Sequence, residues 1–164
     1  MIRLERLVLR EIALALREPF RTAGGITRER RVILAEVMGP DGETGWGECV
    51  APETPAYTAE TVGTAWLALP EWVAPVVLGR EFAGPEELGP ALDRAFRGHP
   101  MAKAAVEMAG WDLAARQQGV GLARLLGGTR DRVEAGIALG MAESPGALAE
   151  RAAAALADRL GEAA

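Results

Sequence analysis

HPMAKAAVEMAGWDLAARQQGVGLARLLGG, residues 99–128, is the stretch whose reading decides the fold. Its apolar residues recur at Met101, Ala104, Ala105, Met108, Trp111 and Ala115, the spacing of a helix with one buried stripe. Pro100 stands where a first helical turn tolerates proline, and Gly119 where a left-handed cap ends a helix. A second short turn, Leu122 to Leu126, is cut off by Gly127 and Gly128. A stripe rich in alanine lets a neighbour approach closely, and the indole of Trp111 is expected at a junction between elements.

Working outward toward the N-terminus, the chain changes period. Residues 2 to 16 alternate apolar and polar with slips, which reads as a long strand with an irregularity near Arg6. Arg17 to Arg31 loses the alternation and reads as a loop that carries Phe20, Thr22, Gly24, Gly25 and Ile26. Val32 to Val37 reads as a second strand. Gly39-Pro40-Asp41-Gly42 is a turn, and Thr44 to Val50 returns as a third strand, completing an antiparallel meander. Ala51 to Tyr57 is a second loop, stiffened by Pro52 and Pro55. Thr58 is a candidate N-cap for a helix running to about Leu69; Pro70 opens another piece closed by Gly79. Gly84-Pro85-Glu86-Glu87 starts a helix that ends near Gly98. Strands followed by helices make an α+β layout.

Beyond Gly128 the pattern changes again. Val133 to Leu139 reads as a short apolar strand. Ser144-Pro145 then opens a helix carrying Leu148, Ala152, Leu156 and Leu160. One strand and one helix cannot make a parallel sheet, because both strand edges stay unpaired. The expectation is one α+β domain over residues 1–130 and, over 131–164, an incomplete start of a second domain.

Composition narrows the function. The chain has 164 residues, 49% hydrophobic and 25% charged, with a net charge of -5. That balance argues against nucleic acid as a partner. No run approaches the ~20 apolar residues of a membrane span, and the first residues do not form a signal peptide, so a cytoplasmic protein with no membrane partner is expected. A single cysteine, Cys49, excludes an internal disulfide and fits a reducing compartment. Lys103 is the one lysine among eighteen basic residues, and it reads as a solvated side chain or as an i,i+4 partner of Glu107. Asp112 and Arg116 stand in the favourable acid-first order. Glu48 reads as a structural hydrogen-bond acceptor, and Cys49 as a small buried hydrophobe. His99 is the only histidine and cannot by itself build a metal site or a triad. Gly24-Gly25 and Gly127-Gly128 lack the spacing of phosphate loops.

The runs GWGECVAPETPAYTAET (45–61), MAKAAVEMAGWDLAARQQGVGLARLLGG (101–128) and VEAGIALG (133–140) together resemble the N-terminal part of the enolase superfamily. The likeness is to its muconate-lactonizing-type group, and within that to the o-succinylbenzoate synthase and N-acylamino acid racemase branch. The resemblance implies an α+β capping domain, a three-stranded antiparallel meander plus helices, followed by the first βα unit of a truncated (β/α) barrel. It implies a barrel that binds one Mg²⁺ on three acidic side chains and carries two lysines that move the proton next to a substrate carboxylate. Those lysines and metal ligands are expected beyond Ala164, which leaves the 164-residue chain inactive and without a bound cofactor. A small-molecule carboxylate as substrate, a role in menaquinone formation and a homo-oligomer in the complete protein are also implied.

For the residues present, the resemblance implies substrate selection by two loops, Pro19 to Thr27 and Val50 to Tyr57. Phe20 and Ile26 would form apolar walls, and Tyr57 an aromatic face with one hydroxyl; Thr22 and Val50 lie on the same loops. Ala138 matches a position where related enzymes often carry a hydroxyl, so any contact there would be apolar. Such a lining suits a succinylbenzoate ring or a hydrophobic N-acyl amino acid. The alternatives are a dipeptide epimerase or muconate cycloisomerase of the same superfamily, and a non-catalytic cap that serves association. In the bland reading, Phe20 and Tyr57 only pin their loops to the cap's own core.

Overall fold

The computed structural model describes residues 1–22, 25–134 and 136–161, with the side chains of 158–161 left out. The chain divides into two compact units, Met1–Leu14 with Arg31–Thr129, and Ala15–Arg30 with Arg130–Ala164. The elements in order are β1 (Ile2–Arg3), β2 (Arg6–Thr22), β3 (Gly25–Met38), β4 (Thr44–Cys49), α1 (Val62–Ala68), a π-helical turn (Leu69–Val73), α2 (Ala74–Val77), β5 (Glu81–Phe82), a 3-10 turn (Pro85–Glu87), α3 (Leu88–Ala95), α4 (Pro100–Gln117), α5 (Leu122–Leu125) and α6 (Pro145–Gly161). The expected meander is present as a three-stranded sheet in the order β2-β3-β4.

The heart of the first unit is α4 against β4. Ile33, Ala35 and Val37 on β3 point inward opposite Cys49, Gly47 and Gly45 on β4, and all three β3 side chains are fully buried. Above them α4 presents Ala102, Ala105, Val106, Ala109 and Leu113, each inaccessible to solvent. A Cβ on Gly47 would collide with the Ala105 carbonyl oxygen and lie 2.9 Å from the Ala109 amide nitrogen. Gly45 stands in the same relation to Ala109 and Leu113. The Gly-Trp-Gly run is therefore the seat of a helix, and small residues face each other from both elements. Trp46, pointing the other way, lies under the Arg10 guanidinium, which is also paired with Glu36.

Several expectations need correction. The stripe of α4 is rotated from the one its large residues suggest: Met108 is exposed, while Trp111 and Ala104 are half-buried. Close approach selects the alanine face, because large side chains there would hold the helix off the sheet. The Arg17 to Arg31 stretch is not a loop; it extends β2 to Thr22 and begins β3 at Gly25. Both faces of that ribbon are largely exposed, so burial imposed no alternation on its sequence. Gly24 lies outside the described residues.

The first helix starts at Val62, capped by Thr61 and not by Thr58. Thr61 and Thr64 form a reciprocal box, Thr64 N–H to Thr61 Oγ1 at 3.2 Å and Thr61 N–H to Thr64 Oγ1 at 2.9 Å. Pro70 does not break the run. A π-helical turn absorbs it where proline's missing N–H is not called for. The sequence pattern also missed β5, which pairs antiparallel with β1, Ile2 opposite Phe82. Two-residue strands have no period to read. Gly119 does cap α4 with a φ of 65°, its N–H donating to Arg116 O.

In the second unit, Val133 to Leu139 forms no strand among the described residues, Ala135 lying outside them. A strand exists by its neighbours, and the described residues of this segment pair with none. A main-chain tie just beyond it is Met141 N–H to Arg21 O at 3.0 Å. α6 opens as expected, with Ala147 N–H donating to Ser144 Oγ at 3.1 Å. The side chain of Leu160 is outside the described residues.

Candidate functional site

In the first unit, the Ala51–Tyr57 loop leaves the end of β4 and leads to α1. Its base is tied by main chain, Val62 N–H to Pro52 O at 3.0 Å. A second tie is Arg31 on β3, whose Nη1 donates to Glu53 at 2.9 Å while Nε and Nη2 hold Glu11 on β2 at 2.8 and 2.7 Å. Both carboxylates raise the guanidinium further above its already high range, Glu11 more than Glu53. From Glu53 to Tyr57 every residue is exposed. Tyr57 is 95% exposed, so it does not pin its loop to the core; Val50, at the loop's start, is 39% exposed.

In the second unit, Phe20 and Ile26 are also exposed, at 40% and 50%. They lie near the end of β2 and the start of β3, where Thr22 Oγ1 donates to Gly25 O at 3.4 Å. Phe20 has a neighbour: a Cβ on Gly140 would lie 3.3 Å from its ring and 3.2 Å from the Arg21 backbone, so glycine allows the 139–141 segment to lie along Phe20-Arg21. A groove of about 350 Å³ between these segments is lined by Glu18, Pro19, Arg21, Met141 and Arg151, with Arg151 and Glu18 paired at 3.2 Å. Ala138 is exposed and offers only a methyl group.

The remaining sequence candidates have structural explanations. Lys103 is neither solvated nor paired with Glu107. It is buried at 8% exposure, donates to Asp93 at 2.9 Å and Phe96 O at 2.8 Å, and stands 4.4 Å from the Phe96 ring centroid. The sequence pattern missed this because Asp93 and Phe96 belong to the end of α3, not to the lysine's own helix. Asp112 forms the expected pair with Arg116 at 2.9 Å and also accepts the Trp46 N–H at 2.9 Å, which ties α4 to β4. Glu48 is exposed. The Cys49 thiol is buried, and burial, aided by the nearby charge of Glu60, pushes it above the ordinary thiol range against a hydrogen bond to the Ala51 backbone.

Glu60 is the polar residue that sequence reasoning overlooked. It is 4% exposed and accepts the Met101 N–H at 2.7 Å and the Ala102 N–H at 2.9 Å. It caps α4 from a distant segment, placing a carboxylate at the positive end of the helix. His99 precedes α4 in a left-handed conformation, φ 53°, and makes no cap of its own. Its ring meets Trp72 edge-on at 5.1 Å, and Nδ1 stands 3.8 Å from Glu60. Among the described residues, no three His, Cys, Asp or Glu side chains converge to hold a metal ion.

Residues 5–127 match the family described as "Mandelate racemase / muconate lactonizing enzyme, N-terminal domain". The o-succinylbenzoate synthase of Bacillus subtilis is 42% identical over 142 residues, 87% of this chain and 38% of that protein. The N-succinylamino acid racemase of Thermus thermophilus is 43% identical over 143 residues, again 87% of this chain and 38% of its own length. A crystal structure of an enolase-superfamily member from Listeria innocua superposes with a TM-score of 0.86 at 30% identity, covering 93% of this chain and 41% of the other. The chain thus spans about two fifths of the length of these relatives. Helix α4 seated on the glycines of β4, the three-stranded sheet and the family match agree: this chain belongs to the mandelate racemase / muconate lactonizing enzyme N-terminal domain family, the capping fold of the enolase superfamily.

Proposed function

We propose that residues 1–130 serve as the substrate-selecting cap of an enzyme of the o-succinylbenzoate synthase / N-succinylamino acid racemase type, and that 131–164 begin its barrel. Proton abstraction next to a carboxylate, with Mg²⁺ as cofactor, is assigned to parts of the enzyme other than these residues. Phe20, Thr22, Ile26, Val50, Tyr57 and Ala138 are the proposed substrate-facing positions. The carrying observation is the exposure of Tyr57: an aromatic side chain held out at 95% exposure, on a loop whose base is tied twice, has no packing reason to be there. The absence of charge among those side chains favours apolar N-acyl amino acids or an aromatic succinyl compound over charged dipeptides.

The test uses the natural polypeptide that contains this chain, with Mg²⁺ supplied. It measures racemisation of N-succinylamino acids and formation of o-succinylbenzoate for the wild type, Tyr57→Ala and Phe20→Ala. Each truncation should change relative kcat/KM among substrates by about 10-fold, roughly the worth of one or two methylene groups in an apolar pocket. Unchanged preference in both variants would remove the loops from substrate selection. Preferential turnover of charged dipeptides by the wild type would move the assignment to a dipeptide epimerase.

A further inference from the structure

The Ala51–Tyr57 loop is stiff but lightly held. Pro52 and Pro55 fix two backbone angles within it, so it swings about its base more readily than it bends. The base is anchored at Pro52 O, and the far end is recovered at Thr58, whose hydroxyl donates to Glu60 O at 3.0 Å. Between these anchors lie five exposed residues, 53–57. The tie that reaches into this span from the sheet is the guanidinium of Arg31 on Glu53. Arg31 is itself oriented, because two of its nitrogens grip Glu11. A planar fork held on one carboxylate presents its third nitrogen in a fixed direction, which a lysine could not do. Arg31 also separates Glu11 from Glu53, two like charges that would otherwise repel the loop from the β2–β3 ribbon.

We propose that Arg31 is the positioning residue of this loop: by holding Glu53 it fixes where Tyr57 stands, and so sets which substrate side chains the loop admits. The proposal rests on the loop's reading as a selectivity element and adds the group that aims it. Arg31 touches no substrate; it acts through Glu53.

The experiment compares wild type, Glu53→Gln, Arg31→Gln, Arg31→Lys and Tyr57→Ala in the natural polypeptide. It reads amide hydrogen exchange over residues 54–57 and KM and kcat across a series of N-succinylamino acids. Glu53 is exposed, so its replacement leaves the fold intact. Exchange over 54–57 should accelerate about two- to fivefold in Glu53→Gln and Arg31→Gln, the worth of an exposed ion pair, with partial recovery in Arg31→Lys. Added NaCl should accelerate exchange in the wild type and not in Glu53→Gln. KM should rise unevenly across the series while kcat stays within about twofold. Unaltered exchange in both Gln variants overturns the proposal. A KM pattern that moves in Tyr57→Ala but not in Glu53→Gln overturns it too, while leaving the loop's role in selection standing. Faster exchange with an unmoved KM pattern in Tyr57→Ala overturns the selection role, and the positioning claim's functional half with it.

Discussion

At the scale of single residues, the decisive positions carry the least side chain. Gly45 and Gly47 allow β4 to lie directly beneath α4, and the helix answers with Ala105 and Ala109. Adding one methyl at Gly47 forces the Ala105 carbonyl and the whole helix outward, since backbone cannot turn aside as a flexible side chain can. Gly47→Ala should therefore destabilise the protein by about 3 kcal/mol or more, read as a lower denaturant midpoint at unchanged slope. Gly63→Ala in α1 is the control. A Cβ there meets only Thr61 Oγ1 at an ordinary 3.8 Å, so the change should be neutral or stabilising by up to about 1 kcal/mol. Equal midpoints for the two variants would remove close approach as the reason for the Gly-Trp-Gly run. That reason was hidden in the sequence, where a G-x-G run next to a tryptophan says nothing about which element lies against it.

At the scale of elements, α4 is stabilised at its start by a residue forty positions away. His99 enters the helix from a left-handed backbone and leaves the first amides without a local cap; Glu60 accepts two of them from inside the core. Glu60→Ala would leave the buried Ala102 amide and the part-buried Met101 amide without this acceptor and should cost about 2–3 kcal/mol in thermal or chemical unfolding. Glu60→Gln keeps one acceptor oxygen and should lose about half as much. Equal stability for Ala and wild type would show that water replaces the carboxylate. The same helix marks the limit of sequence reading. Its existence, its proline start and its glycine end were legible from local chemistry, as was the Asp112–Arg116 pair. Its buried face was not, because hydrophobic size pointed to Met108 and Trp111 while packing chose Ala102, Ala105 and Ala109. Lys103 and Glu60 were misread or missed for one reason: their partners lie on other elements, and spacing along the chain reports only neighbours on the same one. The site residues fare similarly. Exposure of Phe20, Ile26, Val50 and Tyr57 emerges only once the core that excludes them is known.

At the scale of the whole molecule, the two units differ in what holds them. The first contains a contiguous core built from β3, β4, α1, the π-helical turn, α3 and α4. In the second, Val133, Ile137 and Met141 are mostly exposed, as is Leu156 on α6, and the described residues of 133–139 carry no ladder. Burial is the main source of stability, so residues that leave their apolar side chains in water contribute little to it. Proteases need accessible backbone, and Arg130 and Arg132 lie at exposed positions outside any helix or strand just past the first unit. Brief trypsin treatment of the 164-residue chain should cut first after Arg130 or Arg132 and leave α4 and β4 together in a resistant piece, read by intact mass. In the natural polypeptide, the proposed barrel start predicts that 133–139 is paired and that the same bonds resist. First cuts within 31–129 of the 164-residue chain would mean that the α4–β4 core is not the stable unit. Equal lability at Arg130 and Arg132 in both contexts would mean that the apolar run is a linker, not a strand awaiting neighbours.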